Sequence, residues 1–199
     1  CPQDRIFVMK FERVNNQTIA GGLKSISALI LNGQSKTWIA LFLIMLIALA
    51  LRLYGINWDQ GALFHPDERA ILMKTHDLEF PGAGNLTNLL KADESTWNPK
   101  WFNYGSFPLY TLYFLKAVAS PFSNWDLFDL RIPGRAISAL SDTATVGLIF
   151  LIGRCWFTIR IGLLAALFSA LAVLGIQLSH FFAVDTMLVL LITATVFFA

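Results

Sequence analysis

Two adjacent carboxylates, Asp67 and Glu68, follow a proline in the stretch Phe64-His65-Pro66-Asp67-Glu68-Arg69. Pro66 suits the first position of a helix, where its missing N–H is no loss. Asp67 and Glu68 then fall in the first turn, where the helix dipole favours negative charge. Such a pair is commonly a solvated helix cap and nothing more. A third acid, Asp185, stands where a later apolar run begins, and acids in or near a membrane are functional candidates by default. His65 and His180, joined to Asp67 and Asp185, would make an oxygen and nitrogen donor set of the kind that holds a divalent cation. Hydrogen-bonded structural histidines are the commoner outcome. Arg52, Arg131 and Arg135 carry the planar fork that grips phosphate with two bonds. Each is equally placed to snorkel or to meet lipid headgroups.

The elements that must position these groups are set by hydropathy. The chain is 56% hydrophobic and 14% charged, with mean hydropathy +0.59. A soluble domain is about 45–50% apolar and about 25% charged. The excess lies in blocks, so an all-α polytopic membrane protein is expected. A net charge of +2 without a basic stripe gives no reason to expect a nucleic-acid partner. Cys1 and Cys155 form no disulfide framework and have no metal-ligand spacing, and Cys155 reads as an inert thiol. The first apolar run lies far from the N-terminus and no small-residue cleavage site follows it, so no cleavable signal peptide is expected. The chain starts at Cys1, with Met9 as a candidate start site, and stops inside an apolar run, and so reads as a fragment lacking its C-terminal part.

In order, residues 1–36 form a mixed, basic N-terminal segment, with a short interfacial helix expected at 26–31. Residues 37–54 are long enough to span and are interrupted only by Arg52. The basic flank keeps the N-terminus in the cytoplasm, so an external loop follows over 55–135. Within it a helix is expected at 66–80, facing inward with Ala70, Ile71, Met73 and Leu78. Pro81-Gly82-Ala83-Gly84-Asn85 ends it, and 86–91 reads as a second short helix. The run 107–122 contains Pro108, Lys116 and Pro121. A central cation costs at least about 2.5 kcal/mol in a bilayer, so this run is expected to lie in the outer interface rather than cross. Lys116 then snorkels. Further spans are expected at 136–153, 161–178 and 186–199. Asp142 sits on a Ser138/Ser141/Thr145 polar stripe, which suggests an interhelical hydrogen bond. If 107–122 does not cross, the Arg154/Arg160 loop is cytoplasmic, and Asp67 and Asp185 share the outer side.

The order of these features resembles a known family. Arg52 closes a first span, His65-Pro66-Asp67-Glu68 follows, then Asn98-Pro99-Lys100-Trp101-Phe102-Asn103-Tyr104. Arg131 and Arg135 precede one span, and Ser179-His180-Phe181 with Asp185 precedes another. Over residues 37–199 this is similar to the N-terminal half of GT-C membrane glycosyltransferases. The nearest branch resembles protein O-mannosyltransferases and lipid A aminoarabinose transferases of prokaryotes. No single motif decides the match; order and spacing carry it.

The resemblance implies transfer of a sugar from a polyprenyl-phosphate donor to an acceptor hydroxyl outside the cell membrane. The acceptor loses a proton as it attacks the anomeric carbon, and a carboxylate within reach takes it. Asp67 matches the family's first-loop acid and is expected to be that base. Glu68 is expected to orient the loop or pair with a cation, and Asp185 matches the family's second acid. The leaving phosphate needs fixed cations. Lys100 matches a basic phosphate-binding position, with Arg52, Arg131 and Arg135 beside it. Trp101, Phe102, Tyr104 and Tyr110 are candidate walls for substrate and lipid tail, although interface aromatics are also ordinary belt residues. Expected partners are the lipid-linked donor, membrane lipids and a protein, lipid or glycan acceptor. No cofactor is specifically expected beyond a divalent cation as an option. Two readings from other classes stand beside it: a transporter or flippase-like carrier, and a non-catalytic assembly subunit.

Overall fold

A computed structural model describes residues 19–199, with side chains from residue 35 onward, Ala83 excepted. The expected cytoplasmic segment with Arg5, Lys10 and Arg13 lies outside the described residues. All regular structure among them is helical: α1 Ile19–Leu53, α2 Pro66–His76, a 3-10 segment Ala83–Leu90, α3 Phe107–Ala119, α4 Arg131–Trp156, α5 Ile159–Ala170, α6 Val173–Ser179 and α7 Val184–Phe198.

Two helices are long and apolar enough to cross a membrane, Ser35–Leu53 within α1 and Arg131–Trp156. The α5–α6 pair, bent by 55°, makes a third if it counts as one span. Their outward side chains are apolar: Phe42 is 65% exposed and Phe168 72%. Such a surface suits a lipid environment rather than water. The backbone of α1 runs unbroken through 26–31, where a separate interfacial helix was expected. The 13 residues of α3 reach about 20 Å, short of the roughly 30 Å of a bilayer core.

The apolar side chains form two cores. Ala48, Val146, Phe150, Ala166 and Ala170 pack α1, α4 and α5 together. Leu63, Ile71, Leu72, Leu78, Leu109, Leu112, Leu130, Phe182 and Met187 form the other, beneath the 55–130 segment. Its members come from α2, α3 and the chain just before α4 and at the start of α7.

One boundary and one helix face differ from the sequence expectation for a single electrostatic reason. Helix α4 begins at Arg131, not at 136, and so carries two buried arginines in its opening turns. Helix α2 buries Glu68, Ile71, Leu72 and Thr75, a spacing of three and four residues that defines one face. Met73, expected inward, is 50% exposed. Ile71 and Leu78 are inward as expected. The face is rotated because Glu68 points into the core, where Arg135 meets it.

Candidate functional site

Arg135 is fully buried and holds two carboxylates at once. Its Nε and Nη2 donate to Glu68 Oε1 and Oε2 at 2.7 and 2.6 Å. Its Nη1 and Nη2 donate to Asp59 Oδ1 and Oδ2 at 3.0 and 2.7 Å. Nη1 also donates to the Ile56 carbonyl at 2.8 Å. The guanidinium lies 5.6 Å from the Trp58 ring centre. Glu68 accepts one further bond, from the Phe182 N–H at 3.1 Å. That contact needs Gly134: a Cβ there would stand 2.7 Å from Phe182 Cγ. The charges bring together the chain after α1, the first turn of α2, the first turns of α4 and the corner before α7.

Asp59 is held by its own turn as well. Its Oδ1 accepts from the Gly61 N–H at 3.2 Å and its Oδ2 from the Leu63 N–H at 3.0 Å. Burial alone would raise its pKa. The Arg135 hydrogen bonds and charge, with those two N–H groups, outweigh burial and lower it from 3.8 to about 2. Arg131 closes the network on one side. Its Nη2 donates to Asn57 Oδ1 at 2.8 Å, while its Nε stands 3.9 Å from Asp59 Oδ1.

Asp67 has the opposite environment. It sits half-buried in the first turn of α2, and its Oδ1 accepts from the Tyr104 hydroxyl at 2.8 Å. That bond chiefly, then burial and the charges of Asp67 and Asp185, raise the Tyr104 phenol above its ordinary pKa. Asp185 lies exposed in the first turn of α7, near enough to act on the same phenol. Tyr104 is thus hydrogen-bonded to Asp67 and feels the charge of Asp185, 118 positions further along the sequence than Asp67.

Lys100 is exposed, has a left-handed φ of 51°, and donates from Nζ to the Asp93 carbonyl at 2.5 Å. Arg52 is 0% exposed and donates from Nε to Asp142 at 2.6 Å, so its charge is met inside the helix bundle. His65 caps α2 by accepting the Glu68 N–H at 3.4 Å and stacks on Phe181 at 4.4 Å. Both ring nitrogens of His180 lie against carbonyl oxygens, of Ile176 at 2.7 Å and Tyr54 at 2.8 Å. Among the described residues no three His, Cys, Asp or Glu side chains are grouped to hold a metal ion. Asp142 makes an interhelical contact, to Arg52.

An open apolar groove of about 440 Å³ runs along Trp58, Val173, Ile176, Gln177, His180 and Phe181. It adjoins the acidic corner through Phe181, whose ring meets His65 and Trp58. The sequence reading missed Asp59. Its signal was local: an Asp two positions before a glycine forms a turn by bonding the following N–H groups.

Fold and site together define a chain whose described residues are all-helical, compatible with a membrane, with a charged corner where the ends of several helices meet. Comparison with protein-family models, curated proteins and solved structures finds no match.

Proposed function

We propose that the chain is the N-terminal part of a multi-pass GT-C-type glycosyltransferase in a prokaryotic cell membrane. It moves a sugar from a polyprenyl-phosphate donor to an acceptor hydroxyl on the outer face. The observation that carries this reading is the division of labour between neighbouring acids. Glu68 is neutralised in the core by Arg135, whereas the Asp67 carboxylate is held by Tyr104 and has no other hydrogen bond among the described residues. A carboxylate of the second kind suits a general base.

In the proposed step the acceptor O–H proton goes to Asp67. The acceptor oxygen bonds to the anomeric carbon, and the bond to the donor phosphate breaks. The phosphate leaves with the electron pair, and one-step displacement inverts the anomeric configuration. Arg52 and Arg135 already have carboxylates at 2.6 Å. The leaving phosphate therefore falls to Arg131 and Lys100, which have no carboxylate at hydrogen-bond distance among the described residues. Asp185 orients the acceptor near Tyr104. The apolar groove is the seat for the donor's lipid tail.

The test is turnover of a radiolabelled polyprenyl-phosphate sugar by the full-length protein in proteoliposomes. Asp67→Asn is expected to bind donor and lose at least about 100-fold in transfer, the usual scale for a general base. Full transfer by that variant removes Asp67 from the mechanism. One observation favours a carrier instead: the broken α5–α6 helix beside a buried ion pair is a feature of transporters. Movement of intact donor across the bilayer without cleavage would establish that reading.

A further inference from the structure

The run 161–178 bends where its sequence holds no helix breaker. Leu167-Phe168-Ser169-Ala170-Leu171-Ala172-Val173-Leu174 contains no proline and no glycine, yet α5 and α6 meet at 55°. Sharp kinks come from proline, Gly/Ser pairs, π-bulges or a side chain inserted into the hydrogen-bond ladder. The ladder is regular up to Leu171, whose N–H reaches Leu167 at 3.1 Å. It then tightens, Ala172 N–H to Ser169 at 3.2 Å, and Ala172 turns extended at ψ 114°.

A straight helix would give the Ser169 and Ala170 carbonyls to the N–H groups four residues on. Here Arg52 takes the Ala170 carbonyl and shares that of Ser169 with the Ala172 N–H. Its Nη1 donates to Ala170 at 3.0 Å and its Nη2 to Ser169 at 3.3 Å. Its Nε is fixed by Asp142 on α4, and Nη1 also reaches Ala48 on its own helix at 3.0 Å. In apolar surroundings a carbonyl without a donor is costly, so the break and its guanidinium partner belong together. Helix α6 lies flush on the pair: a Cβ at Gly175 would be 3.0 Å from Asp142 Oδ2 and 3.5 Å from Arg52 Nη2. The opposite side of α6, through Val173, Ile176, Gln177 and His180, lines the groove. Its end leads directly to Phe182, whose N–H binds Glu68.

We infer that Arg52, anchored by Asp142, is a positioning residue that breaks this helix and thereby seats α6 and the 179–182 corner against the acidic site. The inference stands apart from the transferase reading, because it concerns the shape of the corner and not what is bound there.

Spin labels at Met73 and Leu174, both exposed, read the seat of α6 against α2. They are placed in the full chain with Cys1 and Cys155 changed to serine. A second pair at Phe42 and Leu164, also exposed, reads the bundle. Arg52→Lys keeps the charge facing Asp142 but loses the planar fork. Arg52→Met with Asp142→Leu removes both charges and leaves neither stranded. Both variants are expected to shift and broaden the 73/174 distance distribution while the 42/164 distribution stays as in the wild type. An unchanged 73/174 distribution in Arg52→Lys overturns the inference, and this variant decides alone if the double variant does not accumulate in the membrane.

Discussion

Asp67 and Glu68 are neighbours in the chain with opposite surroundings, because successive helix positions point about 100° apart. Glu68 is 0% exposed and shares Arg135 with Asp59. Removing one member of such a buried group strands the rest, at about 3–5 kcal/mol. Glu68→Gln is therefore expected to lower the unfolding midpoint in detergent, whereas Asp67→Asn leaves it unchanged; equal midpoints for the two variants would contradict the assigned environments. Asp59 is expected to make the site sensitive to acid. Its folded pKa of about 2 lies below the ordinary 3.8, so its stabilisation is present above pH 4 and lost as pH falls towards 2. A shift of this size corresponds to roughly 2 kcal/mol. Unfolding followed from pH 5 to pH 2 should show that loss in the wild type, and Asp59→Asn should lose stability at pH 5 while flattening the acid limb.

At the scale of elements, what could be read from the sequence was what depends on local pattern. The shortness of α3 follows from Pro108, Lys116 and Pro121, and the start of α2 follows from Pro66 and the two acids after it. What could not be read depended on partners far away. The inward face of α2 is set by an acid whose counter-charge lies 67 residues on. The early start of α4 depends on the same pairing, since unpaired arginines would not be buried in its first turns. The bend between α5 and α6 coincides with contacts from a residue over a hundred positions earlier. The candidate site divides similarly: Asp67, Asp185 and Tyr104 were legible as candidates by type and position, while Asp59 was hidden in a turn. Close packing makes one element-level expectation sharp. A methyl group at Gly134 would press on Phe182 at 2.7 Å. Overpacking of this kind costs about 1–3 kcal/mol. Gly134→Ala should lower the unfolding midpoint and loosen Phe182 from Glu68, seen as faster exchange of the Phe182 amide; a wild-type midpoint and exchange rate would contradict this.

For the whole molecule, the end of α1, the starts of α2, α4 and α7 and the end of α6 meet at one charged corner. The proposed function requires Asp67 and Asp185 to face the same compartment. Single cysteines at positions 67 and 185 should both react with an impermeant maleimide added outside intact cells. Labelling of position 185 only after permeabilisation would separate the two acids and end the proposal of a shared outer cleft. The spacing within the corner also has a consequence for biogenesis. Arg135 follows Asp59 by 76 residues and Glu68 by 67. While the ribosome is still adding that interval, both acids lack their counter-charge. Nascent chains arrested before residue 131 should therefore be cut readily by protease across the segment after α1, and become resistant once Arg135 has emerged.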